Sequence, residues 1–165
     1  MDRRELLGAL GAGAAGLAAM GAAARAQEQE REREQYRYHS LLDKTHLDCL
    51  NACTACAAVC NEASHHCLDQ LRKGEGDKTH HYQAHHLTMD CAEMCLTAAS
   101  LVGRQSPLMA EQCDACADAC RRCAEECDQD GDRADIMREC ARICRECERS
   151  CREMVRSMGG RGRGR

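Results

Sequence analysis

The 165-residue chain has no tryptophan, no phenylalanine and only three tyrosines, so aromatic side chains cannot form its core. Branched aliphatics are scarce as well. After residue 26, Leu, Ile and Val supply only fifteen of 139 residues, a share usually met in disordered chains. No apolar run beyond the N-terminal segment is long enough to span a bilayer. An excess of positive charge is missing too: Lys+Arg number 23 against 27 Asp+Glu, for a formal net charge of −4. Without residues 1–26 the balance is about −5, which argues against a nucleic-acid partner. No nucleophile–base pair or carboxylate dyad stands out, and an enzyme is not expected. What the chain has instead is cysteine, sixteen of them, all beyond residue 26.

The N-terminus reads as a targeting segment. Arg3 and Arg4 form a twin arginine, an Ala/Gly/Leu-rich run follows, and Ala24-Arg25-Ala26 has the small-x-small form of a cleavage site. Asp2 and Glu5-Leu6-Leu7 depart from the commoner twin-arginine pattern. The expectation is a signal peptide over 1–26, export to the periplasm, and a charged segment over 27–39.

Four periodic segments follow, and they predict an all-α domain over 40–158. The first runs from Ser40, in an S-x-x-D start with Asp43, to Lys73 and stops at Gly74-Glu75-Gly76. The second spans Asp77 to Val102 and ends at Gly103. Ser106-Pro107 opens the third, with proline at the first helical position, and "DQDGD" closes it. Asp132 with Asp135 starts the fourth, which fades into a Gly/Arg tail over 159–165, read as a flexible terminus. Links this short make neighbouring helices antiparallel, so the expected fold is an up-down-up-down four-helix bundle.

Cysteine spacing says what lines the bundle. Cys49, Cys53, Cys56, Cys60 and Cys67 occupy the first helix, Cys91 and Cys95 the second, Cys113, Cys116, Cys120, Cys123 and Cys127 the third, and Cys140, Cys144, Cys147 and Cys151 the fourth. Steps alternating between three and four keep residues on one helical face, the seam that Leu or Ile fills in an ordinary bundle. Asp114, Asp118, Arg121 and Glu125 lie opposite. The thiols therefore face inward and form the core.

Such a core has three plain readings besides metal storage: cysteine as a small hydrophobe, a disulfide framework, or a structural site for another metal. Unbroken rows of four or five thiols fit the first two poorly. Zinc wants four ligands in a tetrahedron, usually from knuckle-like turns, and an iron–sulfur cluster needs cysteines converging from irregular backbone. Two sulfurs one helical turn apart suit Cu(I), a soft ion content with two thiolates. One Cu(I) per bridging thiolate also leaves the core electrically neutral. Many such ions imply storage or buffering, since a catalytic or electron-transfer centre needs one or two. A zinc or general thiol detoxification protein, and a disulfide-based redox or structural protein, stay open as alternatives.

With "QYRYHSLLD" before the first helix, "MDCAEMCLTAA" in the second, "SPLMAEQCDACADACRRCAEEC" in the third and "CARICRECERSC" in the fourth, the chain resembles the bacterial cysteine-rich four-helix-bundle copper storage proteins, specifically their twin-arginine-exported branch. That resemblance implies multiple Cu(I) ions per chain, all sixteen cysteines as ligands, a homotetramer, and a copper chaperone or copper enzyme as partner. It also marks a departure. Exported members tend to have a methionine-rich mouth, whereas the corresponding end here holds "SHHC" and "THHYQAHH", as in the cytosolic branch. His81 and His85, on or beside the seam, are expected to admit copper, and His65, His66, His80 and His86 to be solvated. At the opposite end His46, Met109, Met154 and Met158 are expected to plug the core, while Met137 suits either role.

Overall fold

The structure is a computed structural model that describes residues 41–129 and 134–161, together with Arg25 and Gln27. The chain divides into two units, Met1–Leu41 and Leu42–Arg165. The expected leader and charged segment lie outside the described residues except at Arg25 and Gln27, which are helical and exposed.

The second unit holds four helices: α1 (Lys44–Lys73), α2 (Lys78–Gly103), α3 (Met109–Cys127) and α4 (Asp135–Arg161). Each packs on its two neighbours in a ring, α1 on α2, α2 on α3, α3 on α4, and α4 back on α1. Direction is read from the contacts. Cys49 near the start of α1 meets Cys113 near the start of α3 and Cys151 late in α4, whereas Cys60 meets Cys123 and Cys140. Cys95 late in α2 meets Cys116 early in α3. The bundle is antiparallel and up-down-up-down, as the short links require. Among the described residues no helix is long and apolar enough to cross a membrane.

Local chemistry sets the helix ends, with some displacement from the sequence-based bounds. α1 starts at Lys44, because Asp43 is its cap and accepts the His46 backbone N–H at 3.0 Å. Ser40, expected there, lies outside the described residues. Gly74, with φ 72°, closes α1 in the left-handed conformation that glycine adopts at low cost. Asp77 caps α2 through the Thr79 and His80 amides. α3 begins at Met109, two residues beyond Pro107: the Ser106 hydroxyl accepts the Leu108 N–H and its carbonyl accepts that of Met109, making a separate turn before the helix. Asp132 is outside the described residues, and α4 begins at Asp135, whose carboxylate accepts from Arg138. α4 runs on to Arg161, into the expected tail. Glycine weakens a helix by about 1 kcal/mol but keeps its N–H, so Gly159 and Gly160 do not stop it.

The core is made of cysteine and alanine. All sixteen cysteines are buried and unbridged, and Ala57, Ala63, Ala84, Ala92, Ala98, Ala117, Ala124 and Ala141 are buried between them. α2 is the wall poorest in sulfur, with Ala84, Thr88, Ala98 and Val102 buried along its length. Outward faces carry ion pairs, such as Arg152 with Asp114 and Asp118 and Arg142 with Glu139 and Glu146. Toward the end opposite the histidines, His46, Met109 and Met154 are buried, and Met158 is partly buried against the core.

Candidate metal centre

Seam spacing fixes the centre before any contact between helices is counted. Residues three and four apart share a helical face, and four such faces turned to one axis stack their thiols in layers. The layers touch. A continuous path of Sγ–Sγ separations between 3.5 and 4.0 Å runs from Cys49 through Cys151, Cys53, Cys147, Cys95, Cys120, Cys56, Cys60 and Cys123 to Cys127. Cys113, Cys116, Cys91, Cys144 and Cys140 branch from it at 3.8, 3.5, 3.7, 3.6 and 3.8 Å. Cys67 sits at the histidine-rich end, 3.8 Å from the Met137 Sδ.

These spacings suit metal–thiolate geometry. With a metal–sulfur bond of ~2.3 Å, sulfurs on one ion lie about 3.8 Å apart in a tetrahedron, about 4.0 Å in a triangle and about 4.6 Å on a line. The core as it stands thus matches three or four ligands per ion, and two-coordinate sites need sulfurs to part by about 0.6–1.1 Å.

Sulfur sharing decides which ions fit. Cys53, Cys116, Cys147 and Cys151 form one group whose sulfurs all lie within 4.8 Å of one another; Cys95, Cys116, Cys120 and Cys147 form the next, followed by Cys56, Cys91, Cys95 and Cys120, then Cys56, Cys60, Cys91 and Cys144, then Cys60, Cys123, Cys140 and Cys144. Each shares two sulfurs with the group before it. Separate tetrathiolate zinc sites cannot all be occupied under that constraint. A doubly charged ion in each of these five groups would set ten positive charges against their twelve thiolates. Singly charged ions bridged by shared thiolates stay neutral.

Neighbouring thiols shift one another in both directions: hydrogen bonds from adjacent sulfurs pull the Cys56, Cys91, Cys116, Cys140 and Cys151 thiols well below their ordinary value. Hydrogen bonding with Cys123, Cys140, Cys144 and Cys56, together with burial, pushes the Cys60 thiol far above its ordinary value, and Cys116, Cys120, Cys151 and Cys53, with burial, do the same to Cys147.

The histidine-rich end is arranged differently from the sequence-based picture. His81 is buried, and its Nε2 faces the α1–α2 loop, where a Cβ on Gly76 would lie 2.5 Å away. Gly76 has φ 65°, so this close approach needs glycine for two reasons. His85 is half-buried, its Nδ1 lying 2.9 Å from the Ser64 hydroxyl and 3.1 Å from the Ser64 carbonyl. His65 and His86 are exposed as expected, with His86 edge-on to Tyr82. His66 is half-buried and its ring lies 5.9 Å from that of His81. His80 overturns the solvated reading: it is buried, with Nδ1 3.2 Å from Oε1 of Glu126, itself buried. Packing between the first turn of α2 and the last of α3 encloses it. Glu126 escaped the sequence reading altogether; its one signal is its place next to Cys127, at the margin of the seam.

A comparison with curated proteins finds no match. Solved structures do match. A Nitrosospira multiformis protein, Nmul_A1745, is 32% identical with a TM-score of 0.59, over 69% of this chain and 97% of that one. The Cu(I)-bound copper storage protein 3 of Bacillus subtilis is 31% identical with a TM-score of 0.60, over 68% and 99%. A cytosolic copper storage protein of Streptomyces lividans, solved with five coppers, is 26% identical with a TM-score of 0.61, over 68% and 92%. Residues 42–156, which span all four cysteine rows, match the family described as copper storage protein, and the chain belongs to that family.

Proposed function

We propose that the protein stores and buffers copper, holding many Cu(I) ions along the bundle axis with all sixteen cysteines as ligands. The carrying observation is the unbroken path of sulfurs 3.5 to 4.0 Å apart from Cys49 to Cys127. A catalytic site needs an open coordination position, whereas every thiol here is buried; that supports a store rather than an enzyme. Copper is its cargo, passed to or from a copper chaperone or copper enzyme. His81 and His85 form part of the mouth through which ions pass.

An anaerobic titration of the reduced protein with Cu(I), against a chromophoric competitor, tests this reading. Saturation is expected near one ion per cysteine. Cys120 touches Cys56, Cys91, Cys95 and Cys116, so Cys120→Ala should lower capacity by more than Cys67→Ala, at the end of the core. Saturation after one or two ions would sink the storage reading, and thiols already lost to disulfides would favour the redox alternative.

The twin arginine and the Ala24-Arg25-Ala26 site support export to the periplasm with cleavage after Ala26. Tyr82, Met89 and Leu96 stand exposed seven residues apart on the outside of α2, which supports self-association into a tetramer. Native mass spectrometry of protein recovered from the periplasmic fraction reads both points. A full-length chain found only in the cytosol would overturn the export reading, and a monomer at working concentration the tetramer.

A further inference from the structure

At the end opposite the histidines the outermost thiols are Cys49, Cys113 and Cys151, with Cys49 3.8 Å from Cys113 and 3.9 Å from Cys151. Their seams continue beyond them. His46 stands three residues before Cys49, Met109 four before Cys113 and Met154 three after Cys151. Such steps keep a residue on the same helical face and carry it about 4.5–6 Å along the axis. Because α1 and α3 start at this end and α4 finishes there, all three steps lead outward, and they place one imidazole and two thioethers in the layer next to the last thiols. His46 is 4% exposed, Met109 7% and Met154 0%. The fourth seam, on α2, runs past Cys95 to Ala98 and Val102, both fully buried and without a donor atom. An apolar plug does not call for this set. Leu101 and Val102 are buried at the same end and Leu50 is partly so, and leucine fills a seam with no polar atom to satisfy. Burying an imidazole costs free energy unless its nitrogens are engaged. Of the six methionines after residue 26, Met109, Met154 and Met158 make three, all on the seams of this end.

We infer that His46, Met109 and Met154 form a separate Cu(I) site that ends the sulfur path on the side away from the histidines. The inference rests on the storage reading and adds to it a station built from uncharged donors. Thioether sulfur is among the soft ligands that select Cu(I), and imidazole binds copper as well. Asp43 lies 2.7 Å from His46 Nδ1, a carboxylate behind one ring nitrogen of the kind that orients metal-bound histidines. That carboxylate also supplies the one nearby negative charge on α1 to set against the ion, and its side chain is half exposed, so water screens the attraction. A cation among uncharged donors is held less tightly than one bridged by thiolates. The site therefore fills after the cysteine rows and empties before them, which makes it the place where the store exchanges ions at this end.

Selenomethionine labelling of the reduced full-length protein, with X-ray absorption at the selenium edge during an anaerobic Cu(I) titration, tests the inference. All samples carry Met137→Leu, which removes the thioether beside Cys67. A copper neighbour at bonding distance from selenium is expected with the last equivalents before saturation, and it should be the first to disappear when a Cu(I) chelator is added. Met109→Leu combined with Met154→Leu keeps the volume of the plug, so the bundle still folds, and it should abolish that neighbour. His46→Gln should lower its occupancy at equal loading, and Met94→Leu, between α2 and α3, should leave it unchanged. Selenium without a copper neighbour at saturation overturns the inference, and so does a neighbour that survives the paired leucine replacements. Loading near one ion per cysteine in the same samples keeps the storage reading intact in either case, so the two fail separately.

Discussion

Saturating the reduced protein with Cu(I) is expected to raise its melting temperature by tens of degrees. Metal that binds the native state and not the unfolded one adds about 4 kcal/mol for each site held at a thousandfold excess over its dissociation constant. For a unit of this size, 1 kcal/mol moves the midpoint by roughly 3–6 °C. Two filled sites already give a shift of about 25–45 °C on that scale, and the stacked groups of cysteines offer more than two. Thiols of the unfolded chain also bind Cu(I), which subtracts from the gain. The metal-free bundle has little to set against this, since its core is cysteine and alanine with few larger side chains. Anaerobic thermal unfolding by circular dichroism, at increasing copper-to-protein ratios, checks the point. A shift under about 5 °C at saturation would mean that the ions are not held by the folded core.

Copper uptake is also expected to expel protons, about one per ion, and to weaken as the solution is acidified. The sign follows from the metal-free state. Hydrogen bonding with neighbouring sulfurs and burial hold the Cys60 and Cys147 thiols far above their ordinary value of 9.0, so these sulfurs are protonated at neutral pH. The ligand is the thiolate, so an ion bound at these raised thiols must displace a proton to solvent. Raising the pH therefore favours the loaded form, and lowering it favours the empty one, by about tenfold in affinity per pH unit for each proton exchanged. Competition titrations at pH 6 and pH 8 should differ by about a hundredfold, and a weakly buffered indicator solution should acidify in step with added Cu(I). Equal affinities at the two pH values would show that the core already carries thiolates before metal arrives.

Most of this architecture was legible in the sequence, for a definite reason. Steps of three and four place residues on one helical face whatever their type, so the rows from Cys49 to Cys67 and from Cys113 to Cys127 announced a core without any hydrophobic residue to mark it. Short Gly- and Asp-bearing links then fixed the antiparallel order. What stayed hidden depends on contacts between helices. His80 looked solvated because it lies one position off the seam, yet α3 closes over the first turn of α2 and buries it with Glu126. Nothing in "THHYQAHH" says that His81 turns one nitrogen toward the glycine loop, because that follows from the left-handed conformation of Gly76. The start of α1 shifted to Lys44 because two capping residues, Ser40 and Asp43, stand three apart in the sequence and Asp43 is the cap.

The sulfur-poor wall of the bundle bears on how such a container can change. Its capacity is set by how many seam positions carry sulfur rather than by helix length, and α2 holds Thr88 and Ala98, both fully buried, where its neighbours hold thiols. Thr88 is close in size to cysteine and spends its hydroxyl on the Ala84 and His85 carbonyls of its own helix, so no partner on another helix depends on it through those bonds. A lineage, or an engineer, can enlarge the reservoir by single-residue replacement along that one face while the other three walls, the loops and the outer charges keep their present form.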